Sequence, residues 1–213
     1  MIYCTMSIGE YHSKKYSNDI NEFAKHNEVH VLTNYPEHFK NCILENYDRT
    51  IFSYYQKLPF LLSLVLKTKK RVTYFDSDSI DLVKNKDFRF DNKSVYSYKI
   101  FYNTNYTNEE LRTDIALEVL CDIYEELGYE MCDYLHERIL SIPYSIKIKK
   151  VFDEIIKLQP IFEEKYPKGK EWNKHSFKNY SKNGCGYGEG GALSIVLKNN
   201  NIKVLELKEK TLF

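Results

Sequence analysis

The chain has 213 residues, 43% of them hydrophobic, with 19 Tyr and 12 Phe, so it can bury one substantial core and is too apolar to be disordered. Its 31 basic and 30 acidic residues leave a net charge of +1, which excludes a global electrostatic pull toward nucleic acid or an anionic membrane and leaves only local patches. No apolar run approaches the ~20 residues of a membrane-spanning helix, and the N-terminus lacks the basic and apolar regions of a signal peptide. Along the first third, strand and helix signals alternate. Residues 2–6 read as an apolar strand, followed by a loop over 7–10. Ser13 or Ser17 is placed to cap a helix running to about residue 26, with Ile20, Phe23 and Ala24 on one face. Residues 28–33 alternate as a second strand, ended by Asn34, Tyr35 and Pro36. A third strand is expected over 49–54. Pro59 then stands near the start of a helix over 56–67, in which Leu58, Leu61, Leu62, Val65 and Leu66 fall at helical spacing. Val72, Thr73, Tyr74 and Phe75 are β-branched or aromatic and form the next strand.

That order predicts an α/β fold, a single domain with helices on both faces of a mostly parallel central sheet. In the middle, residues 94–102 alternate as a strand, and Asn108 opens a capping pattern for a helix ended by Gly128. Residues 138–143 are a further strand candidate. A helix over 151–166 carries Phe152, Ile155, Ile156, Leu158 and Phe162 on its apolar face, and Pro160 is expected to kink or divide it. In the tail, residues 168–183 are basic and loop-like around the only tryptophan, Trp172. Residues 184–191 are glycine-dense, a helix follows over 192–198, and 202–207 form a final strand. The five cysteines, Cys4, Cys42, Cys121, Cys132 and Cys185, show no Cys-x-x-Cys spacing. They argue for reduced thiols and a cytoplasmic protein.

The strand over 72–75 stops at two carboxylates one residue apart, Asp76 and Asp78. Ligands of open α/β sheets bind at the carboxyl ends of strands. Two carboxylates held that closely repel unless a cation shares them, and hard oxygen ligands suit Mg²⁺ or Mn²⁺, which take the rest of their shell from water and substrate phosphates. The plainer alternative is that these residues, with Ser77 and Ser79, cap the helix that follows. A second feature, Gly186, Gly188 and Gly191, formally matches the dinucleotide fingerprint Gly-x-Gly-x-x-Gly. That fingerprint needs a preceding strand and a following βαβ unit; neither is present, and the reading is rejected. Glu189 instead falls at the start of the next helix, where the helix dipole favours a carboxylate.

Residues 61–80, a leucine-rich helix leading into a strand that delivers Asp76-Ser77-Asp78, resemble the nucleotide-diphospho-sugar glycosyltransferases of the GT-A type. The likeness spans residues 1–80, is weakest over 90–165 and is partial over 172–207. It implies a nucleotide-sugar-binding half (1–80) and an acceptor-side half with a C-terminal loop (81–213). It also implies a sugar transfer from a UDP-sugar, in preference to a GDP-sugar, to a hydroxyl on a small molecule, protein or modified base. By position, Asp78 would ligate Mn²⁺ or Mg²⁺ directly, Asp76 would contact the metal, its waters or the ribose, and Thr5 and Ser7 would face the nucleotide. Glu189 resembles the late carboxylate that serves the anomeric carbon or the acceptor. Lys170 and Trp172 belong to a loop that could fold over the diphosphate and exclude water, and His175 would be the third metal ligand. The chain departs from the family in showing no Asp-x-His or His-x-His element late in the sequence. Two other readings stay open: a non-catalytic nucleotide- or sugar-binding protein on a degenerate transferase fold, and a haloacid-dehalogenase-type phosphatase with a nucleophilic Asp76.

Overall fold

In β1 (Ile2–Ser7), alternate residues go to opposite faces: Ile2 and Cys4 enter one hydrophobic cluster, while Tyr3 packs against another. A computed structural model describes residues 1–48, 53–84, 88–102, 105, 107, 115–145, 147–165 and 188–207. β1 pairs in parallel with β2 (Glu28–Thr33) on one side and with β4 (Val72–Asp76) on the other. The edge strand β3 (Ile43–Asn46) lies parallel to β2. β5 (Val95–Phe101), β6 (Tyr134–Ile142) and β7 (Val204–Glu206) complete a seven-stranded sheet of order β3-β2-β1-β4-β6-β5-β7. β6 is antiparallel to both neighbours, and β7 is parallel to β5. The fold is therefore α/β with a mostly parallel sheet.

Helix α1 (Glu10–Ala24) links β1 to β2 and, with the short α3 (Ile80–Lys84), covers the face that buries Ile20, Val31, Phe75 and Ile139. The opposite face holds the larger core, built by α2 (Ser53–Thr68), α4 (Ile115–Glu126), α5 (Ile148–Lys165) and α6 (Gly188–Asn199). From β1 the chain steps outward to β2 and β3. α2 then carries it back across the sheet to β4, on β1's other side. The strand order thus reverses between β1 and β4, and the crevice outside their carboxyl ends is where such sheets bind ligands.

The structure corrects several boundaries. Among the described residues the third strand is β3; of the strand expected over 49–54, residues 49–52 lie outside the described residues, and Ser53 and Tyr54 belong to α2. An edge strand buries almost nothing (Ile43 and Leu44 are both exposed), so it leaves no alternating signature. It is held by the buried imidazole of His30, whose ring nitrogens lie 2.8 Å from Glu45 and 3.2 Å from Glu28. Ser13 and Ser17 do not cap α1. They are buried inside it, and the helix starts after Gly9, at φ 90°. Pro160 does not divide α5, which runs unbroken from Ile148 to Lys165. The carbonyl of Ile156 loses its helical donor there, and this residue is exposed to water. β6 begins at Tyr134, four residues before the expected start. Gly128 does end α4, at φ 67°. No helix among the described residues is long and apolar enough to cross a membrane.

Candidate functional site

Asp76 is the last residue of β4 and pairs with Met6 of β1, so it stands at the reversal of strand order. A 3₁₀ turn over Ser77–Ser79 follows, and Asp76 occupies its N-cap position without making a side-chain cap bond. Its Oδ1 is used otherwise, accepting from the Tyr74 hydroxyl at 2.8 Å and lying 3.3 Å from the Lys57 ammonium. Lys57 rises from α2 with its side chain only 5% exposed, against 33% for Asp76. Its Nζ also stands 5.3 Å from the centre of the Tyr74 ring, a cation–π distance.

Asp78 is half-exposed. Its Oδ1 accepts from the Ser79 hydroxyl at 3.1 Å and lies 4.0 Å from a guanidinium nitrogen of Arg138. Arg138 Nε in turn donates to Ser79 Oγ, and its guanidinium sits 5.9 Å from the Tyr98 ring. Arg138 arrives there through an irregularity in β6: β5 advances two residues from Ser97 to Lys99 while β6 covers four from Leu140 to His136. Such bulges re-aim side chains beside functional sites. Here the bulge contains Glu137, Arg138 and Ile139, level with the end of β4. Burial holds His136 below its ordinary imidazole value; the Asp76 carboxylate pulls it upward, and Lys57, Arg138 and Lys99 push it down. Glu137, 5% exposed, accepts from the Tyr134 hydroxyl at 3.4 Å beneath the first turn of α6.

The other expected site residues fall as follows. Thr5 is fully buried, and its hydroxyl has no hydrogen-bond partner among the described residues. Ser7 is buried too, its carbonyl accepting from Ser13 Oγ at 3.1 Å. Residue 189 lies in the first turn of α6, with its side chain outside the described set. Lys170, Trp172 and His175 lie outside the described residues. Lys57, Arg138, His136 and Glu137 were not anticipated from sequence. Only Lys57 carried a signal: it falls in helical register with the buried Leu61, Leu64 and Val65, where a lysine is out of place unless paired.

Asp76 and Asp78 are hard oxygen donors of the kind Mg²⁺ and Mn²⁺ take. Among the described residues, no group of three or more His, Cys, Asp or Glu side chains gathers to hold a metal. The donor set fits an ion that completes its shell with water and diphosphate oxygens, and does not fit an all-protein cage. A separate cavity of about 870 Å³ lies two strands away along the β5–β7 edge, lined by residues including Tyr96, Ile100, Tyr102, Asp133, Lys198 and Leu205.

No protein-family model and no curated protein matches the sequence. Among solved structures, the chain is similar to the glycosyltransferase GlyE of Streptococcus pneumoniae TIGR4, with a TM-score of 0.46 and 11% identity over 97% of this chain. It is similar in the same degree to the apo form of that protein, over 96% of this chain. The chain spans 45% and 44% of the lengths of those two structures, less than half in each case.

Proposed function

We propose that the protein is a metal-dependent glycosyltransferase of the GT-A type, moving a sugar from a nucleotide-diphospho-sugar, with a UDP-sugar favoured, to an acceptor hydroxyl. The observation that supports this best is the placement of Asp76 and Asp78. They stand at the carboxyl end of β4 where the strand order reverses, and Asp76 makes no cap bond to the turn it precedes. Helix capping therefore does not account for Asp76.

In this reading Asp78 ligates Mn²⁺ or Mg²⁺ and Asp76 holds the ion or its waters. A divalent ion bound there supplies neutralisation of the negative charge that develops on the nucleoside diphosphate leaving group. Arg138, anchored by Ser79 and lying beside Asp78, offers a fixed cation toward the same diphosphate. Glu189, at the start of α6, serves the reacting carbon or the acceptor. Lys170 and Trp172 close over the diphosphate, and His175 is the proposed third ligand. The acceptor is a small molecule, a protein or a modified base.

The test is calorimetric titration of UDP and UDP-sugars, with and without Mn²⁺, into the wild type and Asp78→Ala. The expected result is Mn²⁺-dependent binding that weakens at least about thirtyfold in the variant, since roughly 2 kcal/mol for one charged ligand is modest. Absence of binding under every metal condition overturns the reading. Binding without turnover across a broad acceptor screen would favour the non-catalytic alternative. A phospho-enzyme that Asp76→Asn abolishes would favour the phosphatase.

A further inference from the structure

We infer that Lys57 is a built-in counter-ion for Asp76, which makes the site take up a divalent ion together with a diphosphate and resist the ion alone. The inference rests on the metal–diphosphate reading of Asp76 and Asp78. Lys57 reaches the site from behind, out of the buried face of α2, with 5% of its side chain exposed and its ammonium 3.3 Å from Asp76 Oδ1. An ammonium buried to that degree is costly without a carboxylate partner. The Tyr74 hydroxyl, 2.8 Å from the same oxygen, and the Tyr74 ring, 5.3 Å from Nζ, fix both members of the pair. On the far side Arg138 stands 4.0 Å from Asp78 Oδ1. Among the described residues, each of the two carboxylates thus lies beside a cation, and its charge is partly offset before any ligand arrives.

The consequence follows from charge. A bare divalent ion entering between these pairs meets Lys57 and Arg138 at close range, and in a partly dry environment that repulsion is worth more than in water. A diphosphate arriving with the ion offsets its charge and is itself attracted to both cations. Ion and nucleotide must then strengthen each other's binding by the same factor. Lys57 acts through Asp76 and through the field at the site, and is a positioning residue. Loss of packing or of the fold weakens ion binding; loss of a counter-ion strengthens it. The sign of the change separates the two roles.

The experiment is titration of Mn²⁺ into the protein, followed by the electron paramagnetic resonance of the free ion, with and without UDP. The wild type is compared with Lys57→Met, Lys57→Gln, Lys57→Arg and Tyr74→Phe. Without UDP, Lys57→Met and Lys57→Gln should bind Mn²⁺ about tenfold more tightly than the wild type, the order expected for removing one charge near the ion. Lys57→Arg, which keeps the charge, should stay within about twofold, as should Tyr74→Phe, which removes a hydrogen bond and no charge. UDP should tighten Mn²⁺ binding more in the wild type than in Lys57→Met. If neither neutral variant gains Mn²⁺ affinity, or if Tyr74→Phe gains as much as they do, the counter-ion role is overturned while the metal site stands. If the wild type binds no Mn²⁺ even with UDP present, the proposed function falls as well. The second neutral variant keeps the comparison decisive should Lys57→Met fail to fold.

Discussion

Arg71 shows how one side chain joins segments far apart in sequence. Its guanidinium donates to the carbonyl and hydroxyl of Ser141 at 3.2 and 3.1 Å, to the Ser94 carbonyl at 3.0 Å, and to the Asp91 carbonyl. It also stacks 5.0 and 5.5 Å from the rings of Phe90 and Tyr96. Burial lowers its pKa, while Tyr96 and Asp91 pull the other way. Asp91 is itself organised: it accepts from the amide and hydroxyl of Ser94 and the amide of Lys93, and the bonds to Ser94 in particular hold its carboxyl well below the ordinary value. The entry to β4 is thereby tied to β6 and to the turn before β5. Arg71→Met keeps the length of the stem and removes every bond, leaving part-buried carbonyls without that donor. The expected loss is about 2–4 kcal/mol, read from urea unfolding; a loss under about 0.5 kcal/mol would show the carbonyls find water instead.

At the scale of elements, helix α6 and strand β6 decide the geometry of the site. α6 lies so close to β6 that a Cβ on Gly190 would fall 2.6 Å from the Tyr134 ring and hydroxyl and 2.7 Å from the Glu137 carboxylate. Ser194 clamps the same turn, donating to the Gly190 carbonyl at 2.7 Å and accepting from the Leu135 amide at 3.1 Å. Two effects oppose each other in Gly190→Ala. Helix propensity favours alanine by about 1 kcal/mol, whereas overpacking against a buried ring costs roughly 1–3 kcal/mol. Overpacking should win, because Tyr134 is buried and tied to Glu137, and the unfolding midpoint should fall. Gly191→Ala should be milder, since the nearest atom, at 2.6 Å, is a terminal methyl of Leu120, which can turn aside more easily than a ring. Equal or higher stability in Gly190→Ala would mean that α6 is seated more loosely than these distances require.

For the molecule as a whole, the sheet is one continuous structure across the two expected halves, because β4 of the first pairs with β6 of the second. Ligand binding at the end of β4 should therefore stabilise the whole fold. With UDP and Mn²⁺ at about 100 times their dissociation constant, linkage adds about 2.7 kcal/mol, which in a chain of this size raises the thermal midpoint by roughly 5–10 °C. Calorimetry of the wild type should show that rise and Asp78→Asn, at the same concentrations, should lose most of it; a full rise in the variant would place the nucleotide elsewhere.

Read as a linear chain, the protein discloses its class and the position of its carboxylates. The alternating strand over 28–33, the helical stripe of Leu58, Leu61, Leu62 and Val65, and the aromatic strand ending at Asp76 are local patterns. Each buries one face of one element, so periodicity suffices to find them. β3 escaped because an edge strand buries little, and the start of α1 escaped because Gly9, not a serine, precedes it. The surroundings of the carboxylates were legible only in part. A lysine in the buried stripe of α2 is visible in sequence, but its partner 19 residues later is not. Arg138 reaches the site through a bulge in β6, 62 residues beyond Asp76, and no local pattern records a shift of register between two strands. Amino-acid order by itself determined which residues form strands and helices around an acidic pair. Only tertiary structure decided that the pair lies at a reversal of strand order and beside Lys57 and Arg138, because long-range strand pairing and the burial of charge belong to the assembled sheet.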